Sequence, residues 1–200
     1  MHINYQVPQV IDLQIPGKFA VVIDNLFSEE FCKKLIDFSE QKGDYTQALV
    51  GQVQHLNVGY RNSQRWLYFN KDLADEIYSK IDKYFPHEFG SKHSVCLNER
   101  LSFLKYTAGN YFKPHYDGYY TRPNGLESSK ITVQIYLNTV PEHFGGETTI
   151  FLSNNNNAKK IKVNPVVGRV LLFQHNIRHE GSLLKDAVKY AIRSDIMYTT

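Results

Sequence analysis

The chain is short of the residues that would staple it, sink it in a membrane or drive it onto nucleic acid. Of its 200 residues only two are cysteines, Cys32 and Cys96, and neither stands in a Cys-x-x-Cys pair. Two cysteines in a chain of this length do not make a disulfide framework. Cys32 falls on an apolar helical face, where packing is its expected role. No apolar run approaches the roughly 20 residues a membrane helix requires. The N-terminus, MHINYQVPQVIDLQIPGK, lacks the basic start and apolar stretch of a secretion signal. A soluble, intracellular, cytoplasmic protein without membrane association is therefore expected. The formal net charge is only +3, and no long basic run occurs. That speaks against nucleic acid as a partner, because such binders cluster their basic residues on one face.

Aromatics are abundant, with 14 Tyr and 12 Phe, which favours a β-rich body. Two hundred residues fit a single domain over 1–200. Neither an internal repeat nor a second domain is visible. Residues 1–17 read as an arm, because Pro8 and Pro16 discourage regular ladders. KFAVVIDN at 18–25 reads as a strand. Ser28 then caps a helix whose stripe is Phe31, Cys32, Leu35 and Phe38 and whose stop is Gly43. Residues 44–69 alternate as two strand-like pieces, and a second helix runs from Asn70 to about Phe85, ended by Pro86. From Val95 onward the chain is almost continuous β, with strands at about 95–105, 111–116, 131–138, 147–152, 160–164, 169–174 and 188–198. This count and spacing predict an α+β fold: a double-stranded β-helix, the jelly roll of cupin type, buttressed by the N-terminal helices. Its core would span about 95–198. The asparagine run at 154–157 reads as a loop tip without a direct role.

The chemistry concentrates in YTAGNYFKPHYD, residues 106–117. Within this strand-like segment His115 and Asp117 stand two apart and so share a face. A third donor, His179, lies far downstream, and Lys189 follows it by ten residues. Two imidazoles and one carboxylate on one side of a metal, with the other positions open, make the facial triad of non-haem Fe(II) oxygenases. A lack of thiolates argues against a closed structural zinc centre. His175 competes with His179 for the distal position, and strand parity does not separate them.

With these features the chain resembles the prolyl 4-hydroxylase-like branch of the Fe(II)/2-oxoglutarate dioxygenases. The resemblance begins at Tyr106 and Gly109 and runs through Pro-His-x-Asp at 114–117, YLN at 136–138 and GGET at 145–148. It continues through Val163, Pro165 and Gly168, LLF at 171–173, His179-x-Gly181, Lys189, Tyr190, Arg193 and Asp195. The family pattern selects His179 over His175, because it carries His-x-Gly and the ten-residue step to a lysine. It implies that His115, Asp117 and His179 hold Fe(II). It implies that Lys189 anchors the far carboxylate of 2-oxoglutarate, with Arg193 as an alternative anchor and Tyr106 and Thr148 as further contacts. Arg61 and Ser63 match an Arg-x-Ser that faces the peptide substrate in prolyl 4-hydroxylases, although the residues alone also read as a turn with a solvated arginine. Lys130 matches a basic residue facing the cleft. Tyr119 belongs to a loop, 118–130, that resembles the mobile flap covering substrate.

The implied reaction consumes O2 and 2-oxoglutarate, releases succinate and CO2, and hydroxylates an unactivated C–H of a prolyl or other peptidyl residue. Ascorbate is a candidate reductant. Two alternatives stand beside it. One is a hydroxylase of a free amino acid or other small molecule, whose carboxylate Arg193 and Lys130 would clamp. The other is a jelly-roll sensor module that binds metal and 2-oxoglutarate without turnover. The residues assign no oligomeric state.

Overall fold

A computed structural model describes residues 7–51, 53–153 and 159–200, so the asparagine run at 154–157 lies outside the described residues. The strands in chain order are β1 (Gln9–Asp12), β2 (Ala20–Asp24), β3 (Thr46–Gln47), β4 (Arg61–Asn62), β5 (Gln64–Phe69), β6 (Glu88–Phe89), β7 (Lys92–Leu97) and β8 (Arg100–Tyr106). They continue with β9 (Tyr111–His115), β10 (Glu127–Tyr136), β11 (Thr148–Phe151), β12 (Lys160–Val163), β13 (Val170–Gln174), β14 (His179–Gly181) and β15 (Lys189–Thr199). The helices are α1 (Glu29–Lys42) and α2 (Lys71–Ile81).

The larger sheet has ten strands along the path β1-β2-β13-β10-β15-β8-β5-β3, with β7 joined to β15 and β6 to β7. The smaller has five, ordered β12-β11-β14-β9-β4. Every pairing is antiparallel. The two sheets face one another as an open sandwich, the jelly-roll arrangement the strand count predicts.

The helices start where short polar side chains can accept backbone protons. Ser28 Oγ accepts from Phe31 N at 3.1 Å, and Asn70 Oδ1 accepts from Leu73 N at 2.7 Å. Both caps satisfy donors that the helix cannot. Cys32 and Leu35 of α1 and Ala74, Ile77 and Ile81 of α2 pack against Phe103, Val133, Leu172 and Ile192 on the outer face of the large sheet. The inner face carries Leu104, Tyr106, Tyr136, Phe173 and Ala191, which meet Ile150, Val163 and Ile177 from the other side. Alternation along each strand sorts the two sets: Ile192 points to the helices and its neighbour Ala191 to the sandwich interior.

Three expectations need correction. The arm includes a strand, because β1 pairs with β2, Gln9 opposite Asp24. Pro8 precedes this edge strand and Pro16 sits in the turn after it, so neither removes a ladder hydrogen bond from its interior. The predicted strand 95–105 is broken at Asn98, whose Oδ1 accepts from Arg100 N at 3.0 Å. Both halves still pair with β15, Leu97 opposite Ile196 and Ser102 opposite Arg193. Finally, β14 was not foreseen. Its three residues are too few to show a period.

One glycine ties the helical layer to the sheet. Gly168 has φ +75°, and its carbonyl accepts from both Leu26 N and Phe27 N at 3.2 Å. A Cβ there would lie 2.0 Å from Phe27 O. Gly168→Ala is expected to cost at least about 2 kcal/mol, from left-handed strain plus the displaced backbone. Urea unfolding should show a lowered midpoint with an unchanged slope. An unshifted midpoint would mean that the contact carries no such weight.

Candidate metal centre and its cavity

The antiparallel pairing of β14 with β9 sets His179 directly opposite His115, although 64 residues separate them. Their ring centroids are 4.2 Å apart. Asp117 follows two residues after the end of β9. Its Oδ1 lies 3.9 Å from His115 Nε2 and its Oδ2 lies 3.7 Å from His179 Nε2. One ligand atom from each of the three falls within 4.8 Å of the others, and this is the one such cluster among the described residues.

The histidines are held in the tautomer a metal needs. His115 Nδ1 faces Lys113 O at 2.7 Å and His179 Nδ1 faces Ile177 O at 3.0 Å. A carbonyl only accepts, so each Nδ1 carries the proton and each Nε2 turns a lone pair toward the centre. Burial, followed by the neighbouring His179, pushes the His115 pKa down to about 3. Burial likewise lowers that of His179. Both rings are neutral at physiological pH. The Asp117 carboxyl is buried too, which by itself would raise its pKa, but the Arg193 guanidinium beside it holds it far below the ordinary carboxylate range. Arg193 Nη2 stands 3.1 Å from Asp117 Oδ1, and Thr132 Oγ1 donates to Oδ2 at 2.5 Å. Two neutral imidazole nitrogens and one anionic carboxylate on one side, with no thiolate, fit Fe(II).

Arg193 has a second partner in Asp195 Oδ1 at 3.0 Å, and that same oxygen is 3.2 Å from His175 Nε2. His175 therefore stands with Asp195 behind the cluster, outside the ligand set. Phe112 lies flat on His115, with centroids 3.5 Å apart and planes 18° from parallel. The Arg61 guanidinium sits 4.6 Å over the same Phe112 ring. This stack packs against the face of the His115 ring.

The cluster opens into a cavity of about 530 Å³ between the two sheets. Strand alternation selects its floor: Tyr106, Leu104, Ser102 and Arg100 from β8, and Lys189, Ala191 and Arg193 from β15. Lys189 is buried opposite Tyr106 in the pairing, and its ammonium lies 4.9 Å over that ring. Nζ donates to Gly146 O at 2.6 Å, and burial draws its pKa down to about 8. Among the described residues no carboxylate lies within ion-pair distance of it. Thr148 Oγ1 accepts from Gln134 Nε2 at 2.9 Å and from Tyr136 OH at 2.7 Å.

The remaining expected residues divide. Arg61 lines the cavity, whereas Ser63 is 1% exposed and accepts from Arg61 Nε at 3.1 Å, so it holds the arginine rather than facing the space. Tyr119 lines the rim, 5.4 Å from His175. Lys130 does not line the cavity; its ammonium lies 5.1 Å over the Tyr119 ring. The segment read as a mobile flap is tied down in its far half. Arg122 pairs with Glu99 at 2.8 Å and with Glu127 at 2.6 Å, and its N–H donates to Glu127 O. Only Gly118 and Tyr119 from this segment reach the cavity.

Sequence reasoning did not find Thr132, Gln134, Phe112, Arg65 or Arg100. Counting back in twos from Tyr106 would have reached Arg100. Thr132 gave no signal, because its contact depends on how residues 118–130 return the chain.

These features agree with comparisons to known proteins. Residues 101–194 match a sequence model described as the 2OG-Fe(II) oxygenase superfamily. No curated protein matches the chain by sequence. Solved structures of similar fold include a prolyl hydroxylase from Trichoplax adhaerens in complex with a peptide fragment of the hypoxia inducible factor oxygen degradation domain. It is 18% identical with a TM-score of 0.70, covering 88% of this chain and 82% of that one. A viral collagen prolyl hydroxylase from Paramecium Bursaria Chlorella virus-1, in its 2OG complex, is 21% identical with a TM-score of 0.61, covering 94% and 99%. A Pseudomonas putida prolyl-4-hydroxylase is 13% identical with a TM-score of 0.65, covering 90% and 92%. At these identities the likeness speaks for the fold.

The Thr132 contact yields a test of the centre that does not need turnover. Thr132→Val keeps the side-chain volume and removes the hydrogen bond to Asp117. Its Kd for Fe(II) or Mn(II), measured by anaerobic calorimetry, should rise roughly 10- to 100-fold. Wild-type affinity in the variant would show that Arg193 alone positions the carboxylate.

Proposed function

We propose that the chain, whose residues 101–194 match the model of the 2OG-Fe(II) oxygenase superfamily, works as such an oxygenase and hydroxylates a prolyl or other peptidyl side chain. The superfamily works with Fe(II), 2-oxoglutarate and O2. Bound together, these supply oxidation of an unactivated C–H, with succinate and CO2 released. We read residues 1–200 as one such domain.

In this reading the chain's own contribution is to hold, orient and exclude. His115, Asp117 and His179 are the iron ligands, fixed by the backbone carbonyls, Thr132 and Arg193 described above. Lys189 takes the far carboxylate of 2-oxoglutarate. The observation that carries the reading is that a buried cation with no carboxylate partner and the His-Asp-His cluster line one cavity. An unpaired buried charge is costly, and an incoming carboxylate removes the cost. Arg193 is the poorer anchor, because Asp117 and Asp195 already neutralise it. Tyr106 and Thr148 are assigned to the co-substrate beside Lys189, and Arg61 and Tyr119 to the substrate at the mouth. The apolar walls Leu104, Phe112 and Ala191 keep water from the reacting end. The peptide seen on the Trichoplax relative supports a peptide as substrate for this chain too.

Conversion of 2-oxoglutarate to succinate without added substrate tests the chemistry. Wild-type protein should do this only with Fe(II), and His115→Ala should abolish it. Lys189→Met should raise the KM for 2-oxoglutarate at least about tenfold, the worth of one charge-assisted contact. The Lys189 ammonium is charged below about pH 8 and loses its proton above it. The wild-type KM should therefore climb as pH rises through 8, while that of Lys189→Met stays flat. Metal-loaded wild type that neither binds nor consumes 2-oxoglutarate would overturn the reading and leave a metal-binding module.

A further inference from the structure

Five cations line the cavity, Arg61, Arg65, Arg100, Lys189 and Arg193, against one lining carboxylate, Asp117. Arg193 is satisfied by Asp117 and by Asp195 behind it. On the proposed function, the metal dication and the 2-oxoglutarate dianion cancel, and Lys189 is offset by the second of those two aspartates in the overall charge. Three guanidiniums are left over. None of Arg61, Arg65 and Arg100 has a carboxylate within ion-pair distance among the described residues. Arg65 Nη2 donates to the neutral Gln54 Oε1 at 3.1 Å, and Arg61 leans on Phe112 and Ser63.

Their placement follows from strand register. Arg193 stands opposite Ser102, and Arg65 stands opposite Leu104, one inward-facing step along β8 from Ser102. Arg100 lies one inward-facing step from Ser102 in the other direction. The two unneutralised arginines thus flank the rung whose guanidinium touches Asp117. Arg61 enters from the opposite sheet through β4 and is only 8% exposed. The crowding has a cost. Burial, then the charges of Arg61, Arg100 and Arg193, pulls the Arg65 pKa down to about 10. A surface arginine group would be relieved by water and salt; here the shared cavity limits both.

We propose that the substrate presents an anionic oxygen group, carboxylate or phosphate, to Arg61, Arg65 and Arg100 beside the metal centre. This rests on the oxygenase reading and deepens it. The cavity selects an acidic substrate, and the planar donor forks of the arginines suit such groups bidentately.

The test compares prolyl peptides of one length that carry Glu, phosphoserine or Gln next to the proline, together with free L-proline. Each is assayed by succinate release, and by calorimetry on protein loaded with Mn(II) and 2-oxoglutarate. The Glu or phosphoserine peptide should bind at least about tenfold more tightly than the Gln peptide. The gap should narrow as salt rises. The better of the two identifies the anion, and L-proline matching them would support the site with a free amino acid as the source. Arg65→Gln and Arg100→Gln should each narrow the gap several-fold, Arg65→Lys should keep part of it, and Arg65→Glu should shift preference toward a Lys-bearing peptide. That reversal cannot come from a misfolded variant. Equal binding of Glu and Gln peptides by a wild type that consumes 2-oxoglutarate would overturn the anion site and spare the oxygenase reading. Tight acidic-peptide binding with no 2-oxoglutarate consumption would do the opposite.

Discussion

A carboxylate buried between two sheets persists as an anion only if something nearby compensates it. For Asp117 that partner is Arg193, 3.1 Å away on β15, and much of the surrounding architecture serves this pair. Arg193 is half-buried and meets a second carboxylate in Asp195, and Asp195 in turn faces His175. Thr132, from β10, closes the remaining side of Asp117. The network spans β10, β15 and the end of β13, and it fixes the one member of the His-Asp-His cluster that does not lie on a strand. Breaking a buried pair of this kind leaves an uncompensated charge, and Thr132, Arg193 and Asp195 all lie on the interior strands β10 and β15.

The large sheet separates stability from chemistry by strand parity. Its outer face is apolar and clamped by α1 and α2, whereas its inner face carries cations, phenols and amides into the cavity. Adjacent residues on β15 serve opposite ends: Ile192 packs under the helices while Arg193 reaches the metal centre. The smaller sheet is shorter and contributes the two histidines through one pairing, β9 with β14.

Part of the site was legible because it is local. His115 and Asp117 are two apart, so their common direction follows from chain geometry, and the step from His179 to Lys189 rests on the resemblance. The helices were equally readable, since Ser28 and Asn70 announce their starts. The contacts that tune the centre were not legible. Ser63 looked like a substrate contact yet braces Arg61, and Lys130 looked cleft-facing yet covers Tyr119. In both cases the direction of a single side chain decides the role, and a motif match records the residue type without its direction.

By itself the sequence determined the donor types, the β-rich sandwich and the order in which the functional residues arrive. It did so because strand periodicity and helix capping act over a few residues. Strand parity does not separate His175 from His179, and it is the register of β14 on β9 that sets His179 against His115 in the cluster, as the resemblance implied. Tertiary structure alone decided which cation is neutralised. Lys189 and Arg193 sit on the same face of β15 four residues apart, but only Arg193 meets two carboxylates brought in by the end of β9 and by β15 itself. Charge balance is a property of a volume, and that volume exists only once the two sheets face one another.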